Sequence, residues 1–286
     1  MPRTSSTDKG DGDSAAEKEE RLPEFKTPLE YYLHRLGALL SETYSIATVD
    51  LTSHPLPEER SRIWFIGSKD SGFSAEQWKS AIQKLHAVSL ALPRHHLRAF
   101  FDKFGVTGGL SAEKKKEKTA WHKEASYAKF FAAAWQKAAT AKRVGDQPIE
   151  RSGRPSAQVA LQDCSPWMQA NIDVYQAILD QLRVEDAAAG CKDQDMFPVA
   201  DVSQATNRGY ANLTGTWGTL CTSTKAVNFS NFQHLGGKGM LSVLGFDVAE
   251  IKTVGVGETA MSDLAGNGMS FTQLSQVLLP MLLRCV

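Results

Sequence analysis

The chain lacks a net charge, a paired-cysteine motif and any long hydrophobic run. Its 32 lysines and arginines equal its 32 aspartates and glutamates, so bulk attraction to nucleic acid or to an anionic membrane is not predicted, although local patches can still provide it. The four cysteines, at positions 164, 191, 221 and 285, lie far apart, which argues against a zinc site and a disulfide framework. No apolar run reaches the roughly 18 residues that a membrane span needs. We therefore expect an intracellular protein with no membrane partner.

The sequence also lacks the motifs of a self-contained active site. It contains no glycine-rich dinucleotide loop after a strand, no P-loop, no HExxH zinc motif and no GxSxG elbow. Gly236-Gly237-Lys238-Gly239 does not have P-loop spacing and is interpreted as a flexible turn. His95 and His96 are adjacent, so on a helix they point in different directions and cannot chelate one metal. No metal site is predicted.

The N-terminal part predicts a tail followed by a helix and two strands. Residues 1–24 are rich in Ser, Asp, Glu and Lys and are interpreted as a disordered tail. Thr27-Pro28-Leu29-Glu30 has the pattern of a capped helix start, and leucines then recur at helical spacing to position 40. A strand is predicted around 45–51 and another at 62–66, where four consecutive apolar residues before Gly67 predict cover on both faces.

The remainder predicts a helical middle and an irregular C-terminal part. Ser74 to Gln77 forms a capping-box pattern, a basic stretch around 113–118 leads into an aromatic-rich helix, and Ser165-Pro166 opens another helix. From Phe197 the chain is rich in Thr, Gly, Asn and Ser, which is typical of loops and short strands. Residues 271–283 then predict a strongly apolar closing helix.

Pro57, Arg60, Arg62 and Gly67 lie in one block that runs from the loop after the first predicted strand to the end of the second. This block resembles the arginine motif of the DNA (cytosine-5) methyltransferases. In that family a helix, a strand, the motif P-Q-x-R-x-R and a second strand ending at glycine follow one another. Pro57, Arg60, Arg62 and Gly67 match that pattern. Glu58 stands where the family has glutamine.

A second block is similar to the closing motif of the same family. The stretch from Asp263 to Met269 contains Gly266-Asn267 and precedes an apolar helix, as a Gly-Asn turn does in the family. Upstream, Arg208, the run Gly218-Thr219-Leu220-Cys221-Thr222 and the Leu241 to Gly245-Phe246 segment are similar to the family's intervening stretch.

The resemblance implies an α/β fold with a partial Rossmann-like methyltransferase sheet, made of edge strands plus the closing helix, and a largely helical insertion. Residues 25–70 would supply the strands, 71–196 the insertion in the target-recognition position, and 197–286 the C-terminal segment. Arg60 and Arg62 would support catalysis by forming charge-assisted hydrogen bonds to a phosphate or to the base carbonyl. Gly266 and Asn267 would help to close the pocket for S-adenosylmethionine.

The family's donor loop, Pro-Cys nucleophile and Glu-Asn-Val acid do not occur in this sequence, and Cys164 is interpreted as structural. We therefore expect a chain that is inactive and does not bind S-adenosylmethionine on its own, with DNA and a complementary methyltransferase half as possible partners and the nucleus as its location. The alternative is a non-catalytic module that binds nucleic acid or protein, in which the arginines and the basic helix around 114–142 make the contacts. A helical adaptor is the third hypothesis.

Overall fold

The computed structural model describes residues 25–40, 42–69, 72–107, 120–148, 164–192, 195–251 and 255–284, so the N-terminal tail and most of the basic stretch lie outside the described residues. Within these ranges the protein is a mixed α/β structure with eight helices and two antiparallel sheets. The elements are α1 (Pro28–Leu40), β1 (Ser45–Thr52), β2 (Ser61–Ser68), α2 (Ala75–Ala91), α3 (Arg98–Phe104), β3 (Gly105–Val106), α4 (Ala120–Thr140), α5 (Pro166–Ala188), β4 (Val199–Asp201), β5 (Ala211–Asn212), β6 (Ala226–Asn228), β7 (Gln233–Leu235), α6 (Gly237–Val243), α7 (Glu258–Asn267) and α8 (Phe271–Arg284).

The helix starts with the clearest sequence signals are confirmed. Before α2 the Ser74 hydroxyl accepts from the Gln77 amide at 3.4 Å, and the Gln77 side chain accepts from the Ser74 amide at 2.7 Å. Before α5 the Ser165 hydroxyl accepts from the Met168 amide, with Pro166 at the first helical position. These side chains satisfy amides that have no partner within the helix, which fixes where each helix begins.

The N-terminal part of the chain packs on a two-stranded sheet. β1 and β2 pair antiparallel from Ser45 opposite Ser68 to Thr52 opposite Ser61. Their inner side chains form a small core with residues of α2 and α8, namely Ala47, Val49, Leu51, Ile66, Ala75, Ile82 and Val277. Alternation along a strand sends successive side chains to opposite faces, so only one face contributes to this core.

The opposite face of this small sheet is open, which corrects the expectation of cover on both faces. Ile63 and Phe65 of β2 are 46 % and 43 % exposed. Helix α1, a candidate cover, has no buried residue. The sheet is therefore covered on one side within the described part of the chain.

The C-terminal half builds a second sheet, in the order β3-β7-β6-β4-β5, with every neighbouring pair antiparallel. Each strand has two or three residues. One core lies between this sheet and the helices α4 and α5, and a second lies around α3, α6, α7 and Trp217. The sequence predicted short strands here but not that they join into one sheet, and none of the named strands of either sheet pairs in parallel within the described residues.

The predicted helical middle, 71–196, contributes to all three cores. Helix α2 packs on the small sheet, α3 and β3 pack with β7 and α6, and α4 and α5 pack with the larger sheet. In the described ranges no helix is both long and apolar enough to cross a membrane.

Candidate functional site

The loop between β1 and β2 is joined to the C-terminal half by a short stretch of backbone pairing. The Trp217 amide donates to the Pro57 carbonyl at 2.8 Å, and the Glu59 amide donates to the Trp217 carbonyl. This pairing is a parallel bridge between Glu58 and Trp217. It places the arginine motif beside the segment that contains Gly218 to Thr222, although about 160 positions separate them in the chain.

Arg60 connects this loop to the end of α7. Its side chain is buried, and Nη1 donates to the Gly268 carbonyl oxygen at 2.9 Å. The same nitrogen lies 3.6 Å from Glu58 Oε1. A charge-assisted hydrogen bond therefore joins the arginine motif directly to the Gly-Asn segment. We call the group formed by Glu58, Arg60, Trp217, Leu220 and Gly268 the junction.

Glu58 supplies the carboxyl group of the junction, and the pKa of this group is raised. Its side chain has no exposed surface, and Oε1 accepts from the Leu220 amide at 3.3 Å while Oε2 has no hydrogen-bond partner among the described residues. Burial raises its pKa to about 7, against the opposing effects of the Leu220 amide and the Arg60 charge. Burial outweighs the ion pair because a separation of 3.6 Å recovers only part of the cost of removing the carboxylate from water.

Gln273 lies beside the junction, and the sequence interpretation did not identify it. It is fully buried near the start of α8, and Nε2 donates at 2.8 Å to the carbonyl oxygens of both Leu51 and Arg60. These two bonds fix the closing helix to the β1–β2 hairpin. The available signal was the presence of Gln273 and Gln276 in a mainly apolar helix, since a buried amide needs partners.

Arg62 lies on β2, opposite Leu51, and is not part of the junction contacts. Its Nε is buried and has no hydrogen-bond partner among the described residues, while the residue as a whole is partly exposed. The two predicted arginines therefore differ: Arg60 is engaged by protein groups, whereas Arg62 keeps hydrogen-bonding capacity available. Their predicted supporting role in catalysis stays a prediction.

Gly266 and Asn267 are the last two residues of α7, so the turn predicted at these positions is wrong; residues 268–270 form an irregular connection to α8. A Cβ on Gly266 would overlap the backbone nitrogen of Thr222 and the carbonyl carbon of Cys221. Glycine is thus required for α7 to approach that segment. Asn267 is exposed. The face of Gly266 is occupied by the chain itself, which leaves the Asn267 amide as the accessible group of this pair.

The other candidates have structural partners. The His96 ring packs edge-on against Phe197, and its atoms occupy the space beside Gly215. Cys164 is buried in the core of α4 and α5. In the glycine-rich stretch the Gly237 amide donates to the Glu258 carboxylate at 2.6 Å. No group of three or more His, Cys, Asp and Glu side chains suited to a metal occurs in the described part of the chain.

No protein-family model matches the chain. No curated protein matches it either.

Proposed function

We propose that the chain is the C-terminal portion of a DNA (cytosine-5) methyltransferase-like protein. The hydrogen bond from Arg60 Nη1 to the Gly268 carbonyl supports this proposal most directly, because it joins residues 208 positions apart that come from the two resembling blocks. In the proposal the β1–β2 hairpin belongs to the edge of a Rossmann-like sheet, and its open face is covered by the catalytic half.

The chemistry explains what this chain would and would not supply. Cytosine C5 is a weak nucleophile, so the family attacks C6 with a cysteine thiolate, contacts N3 with a carboxylic acid and first flips the base from the duplex. No cysteine of this sequence follows a proline. The chain would therefore contribute Arg62 at the pocket and, through Arg60 and Gln273, the fixed position of α7 and α8.

Binding of the methyl donor tests whether this chain contains a donor pocket of its own. S-adenosylmethionine would supply the methyl group, and of the two residues implied by the resemblance only Asn267 offers an exposed group, since Gly266 packs on Cys221 and Thr222. We expect calorimetric titration of the isolated chain with S-adenosylmethionine to show no binding. Saturable binding at micromolar concentration would contradict the proposed absence of a donor pocket in this chain.

A complementation experiment tests the proposal as a whole. Methyl transfer from labelled S-adenosylmethionine to cytosine in duplex DNA is measured with this chain alone, with a catalytic half that carries the donor loop, Pro-Cys and Glu-Asn-Val motifs, and with both. Transfer is expected only in the mixture, and Arg62→Ala should reduce it there by about tenfold or more through loss of a charge-assisted contact. Transfer by the pure chain would refute the proposed missing nucleophile. A mixture that neither associates nor transfers methyl groups would refute the proposed pairing of halves.

The second candidate is a non-catalytic module that binds nucleic acid or protein. The exposed side chains of Ile63 and Phe65 favour it, because an open apolar sheet face is a surface that a partner can cover. Replacing Arg62 with alanine should weaken nucleic-acid affinity and lower the salt slope by about one for the lost phosphate contact, whereas Arg60 is buried and bonded to Gly268 and is left in place. Arg35→Ala, an exposed site on α1, is the matched charge control. An unchanged slope would show that Arg62 does not contact nucleic acid.

A further inference from the structure

A cleft of about 400 Å³ opens between the end of α4 and the loops around β4 and β5. Its lining includes Arg143, Asp201, Arg208, Tyr210 and Cys221. The volume lies in the range of small-molecule sites in proteins. Two guanidinium groups in one cleft of this size point to an anionic ligand.

Arg143 is held in place by the backbone at the end of α4. Its amide donates to the Ala138 carbonyl and the Lys142 amide donates to Ala139, with Lys142 in the left-handed region at φ 56°, which is the hydrogen-bond pattern of a Schellman motif. Its Nη1 donates to the carbonyls of Thr206 and Gly209 at 2.7 and 2.8 Å. Arg143 therefore enters the cleft in a fixed geometry, which lowers the entropy cost of using it for binding.

Arg208 supplies the second positive charge and is not used by the fold. It is exposed, and no described residue forms an ion pair with its guanidinium. The one carboxylate in the lining, Asp201, is satisfied by protein donors. Its Oδ1 accepts from the amides of Ser203 and Lys225 at 3.0 Å and from the Ser203 hydroxyl at 2.7 Å. These neutral donors do not cancel the charge of Asp201, so two arginines and one carboxylate leave the lining with one formal positive charge in excess.

Two glycines allow the walls of this cleft to come together. A Cβ on Gly209 would overlap the Tyr175 hydroxyl, and a Cβ on Gly218 would lie 2.6 Å from the Tyr210 ring. Tyr210 in turn packs on Trp217, with ring centroids 5.4 Å apart. The aromatic wall and Arg143 are therefore fixed relative to each other by the packing of buried groups.

We propose that this cleft binds a phosphate group, held by the guanidinium groups of Arg143 and Arg208 beside the Tyr210 ring. Planar guanidinium donors match phosphate oxygens in a two-point geometry, and an aromatic side chain is a surface on which a base can stack. The phosphate comes from a free nucleotide or from a nucleic-acid strand, and the experiment distinguishes these sources. The cleft includes Arg208 and part of the run from Gly218 to Thr222, which also belong to the stretch that resembles the family. The proposal nevertheless rests on the charge and geometry of the cleft, and it uses none of Arg60, Arg62, Gly266 and Asn267.

Cys221 gives a direct measure of occupancy because it is an exposed thiol in the lining of the cleft. Cys191 is an exposed thiol outside that lining and serves as an internal control in the same sample. The full chain is treated with iodoacetamide, and alkylation of each cysteine is followed by peptide mass spectrometry. The additions are inorganic phosphate, a 5′-mononucleotide, a 12-nucleotide single strand, and sodium chloride at matched ionic strength.

Phosphate-bearing additions should slow alkylation of Cys221 and leave Cys191 unchanged, while sodium chloride should affect neither selectively. In Arg208→Ala the concentration needed for protection should rise by about tenfold, with a smaller rise in Arg208→Lys. Arg35→Ala, with the same charge change at an exposed site on α1, should behave as the wild type. Arg208 is the residue to vary because Arg143 also supports the loop through its bonds to Thr206 and Gly209.

The pattern of protection identifies the source of the phosphate. Protection by the mononucleotide at the same concentration as by the strand indicates a free nucleotide, and protection by the strand at far lower concentration indicates nucleic acid. Equal protection of Cys221 by sodium chloride, or unchanged protection in Arg208→Ala, would overturn the proposal. Absence of protection by all three phosphate-bearing additions would also overturn it.

Discussion

At the scale of single residues the junction carries an unusual electrostatic arrangement. Glu58 and Arg60 are both buried, yet their closest charged atoms are 3.6 Å apart and Glu58 Oε2 is unpartnered among the described residues. Such a pair adds little net stability, because desolvation offsets the attraction, but removing one partner leaves a buried charge alone. Arg60 keeps its hydrogen bond to the Gly268 carbonyl when Glu58 is replaced, whereas Glu58 loses its charge partner when Arg60 is replaced. The two residues are therefore expected to respond very differently to substitution.

Glu58→Gln should stabilise the protein at alkaline pH. The folded-state pKa of Glu58, about 7, exceeds the ordinary value of 4.5, so the folded state binds the proton more tightly. The contribution of Glu58 is therefore fully present below about pH 4.5 and is lost as pH rises through 7. Glutamine is neutral and nearly isosteric, so the variant should avoid this loss, which is about 3 kcal/mol at most for such a shift.

Urea unfolding of wild type and Glu58→Gln at pH 5 and pH 8 measures this difference. The exposed neighbour Glu59, paired with Arg94 at 2.8 Å, gives the matched control Glu59→Gln. That variant should change the free energy of unfolding by less than about 1 kcal/mol at either pH. If Glu58→Gln kept the pH dependence of the wild type, the raised pKa of Glu58 would be wrong.

Arg60→Ala should be strongly destabilising because it removes the bond to Gly268 and leaves Glu58 without its charge partner. A loss of about 3 to 5 kcal/mol in the free energy of unfolding is expected at pH 8, where Glu58 is mostly ionised. The double variant Glu58→Gln/Arg60→Ala should recover part of that loss. Arg94→Ala, which breaks the exposed pair with Glu59, should cost less than about 1 kcal/mol. Equal losses for Arg60→Ala and Arg94→Ala would refute the structural role of Arg60.

At the scale of elements, α7 and α8 are positioned by contacts that depend on backbone approach. Gly266 brings α7 against the segment at Cys221 and Thr222, and Gln273 fixes α8 to β1 and β2. Both contacts join parts of the chain that are distant in sequence. The position of the closing helix is therefore set by a few polar and steric contacts as well as by its apolar stripe.

Gly266→Ala should destabilise the protein because the added methyl group would overlap backbone atoms of Thr222 and Cys221, which cannot rotate away. We expect a loss of about 1 to 3 kcal/mol in the free energy of unfolding, the usual effect of overpacking. Gly37→Ala is the matched control, because no atom lies within 4 Å of a Cβ placed there in α1. In that variant alanine should leave stability unchanged or raise it slightly. Thermal unfolding of both variants tests the contact, and an unaffected Gly266→Ala would contradict it.

The elements also explain what could be predicted from the sequence. Helices α2, α5 and α8 and strands β1 and β2 have local signals, such as the Ser74 capping box and the apolar run at 63–66, and their positions are confirmed. The five-stranded sheet was missed because strands of two or three residues are too short to show alternation. The bond between Arg60 and Gly268 has no local signal at all. Only the resemblance placed both segments in one family, and only the fold brings them into contact.

At the scale of the whole molecule, the described part of the chain leaves an unusual amount of apolar surface open around the small sheet. Its core contains seven buried hydrophobic residues, whereas Ile63 and Phe65 on the opposite face and Leu282 and Leu283 on α8 are 43 to 66 % exposed. The strands of this sheet pair only with each other, so each has an edge without a strand neighbour among the described residues. Exposed apolar faces beside unpaired strand edges promote association.

We therefore expect the purified chain to self-associate as its concentration rises, and Ile63→Thr/Phe65→Thr to reduce that association. Threonine keeps a side chain suited to a strand while removing apolar area from the open face, so the hairpin should persist. Sedimentation velocity at several protein concentrations measures the effect, with far-ultraviolet circular dichroism to verify the fold.

Val88→Thr is the control, since Val88 is 63 % exposed on α2, outside this face. If Val88→Thr reduced association as much as the double variant does, the association would be nonspecific and would not occur through the sheet face. A wild-type chain that stays monomeric throughout would show that the open face needs no partner, and the hypothesis of a complementary half covering it would lose its physical basis.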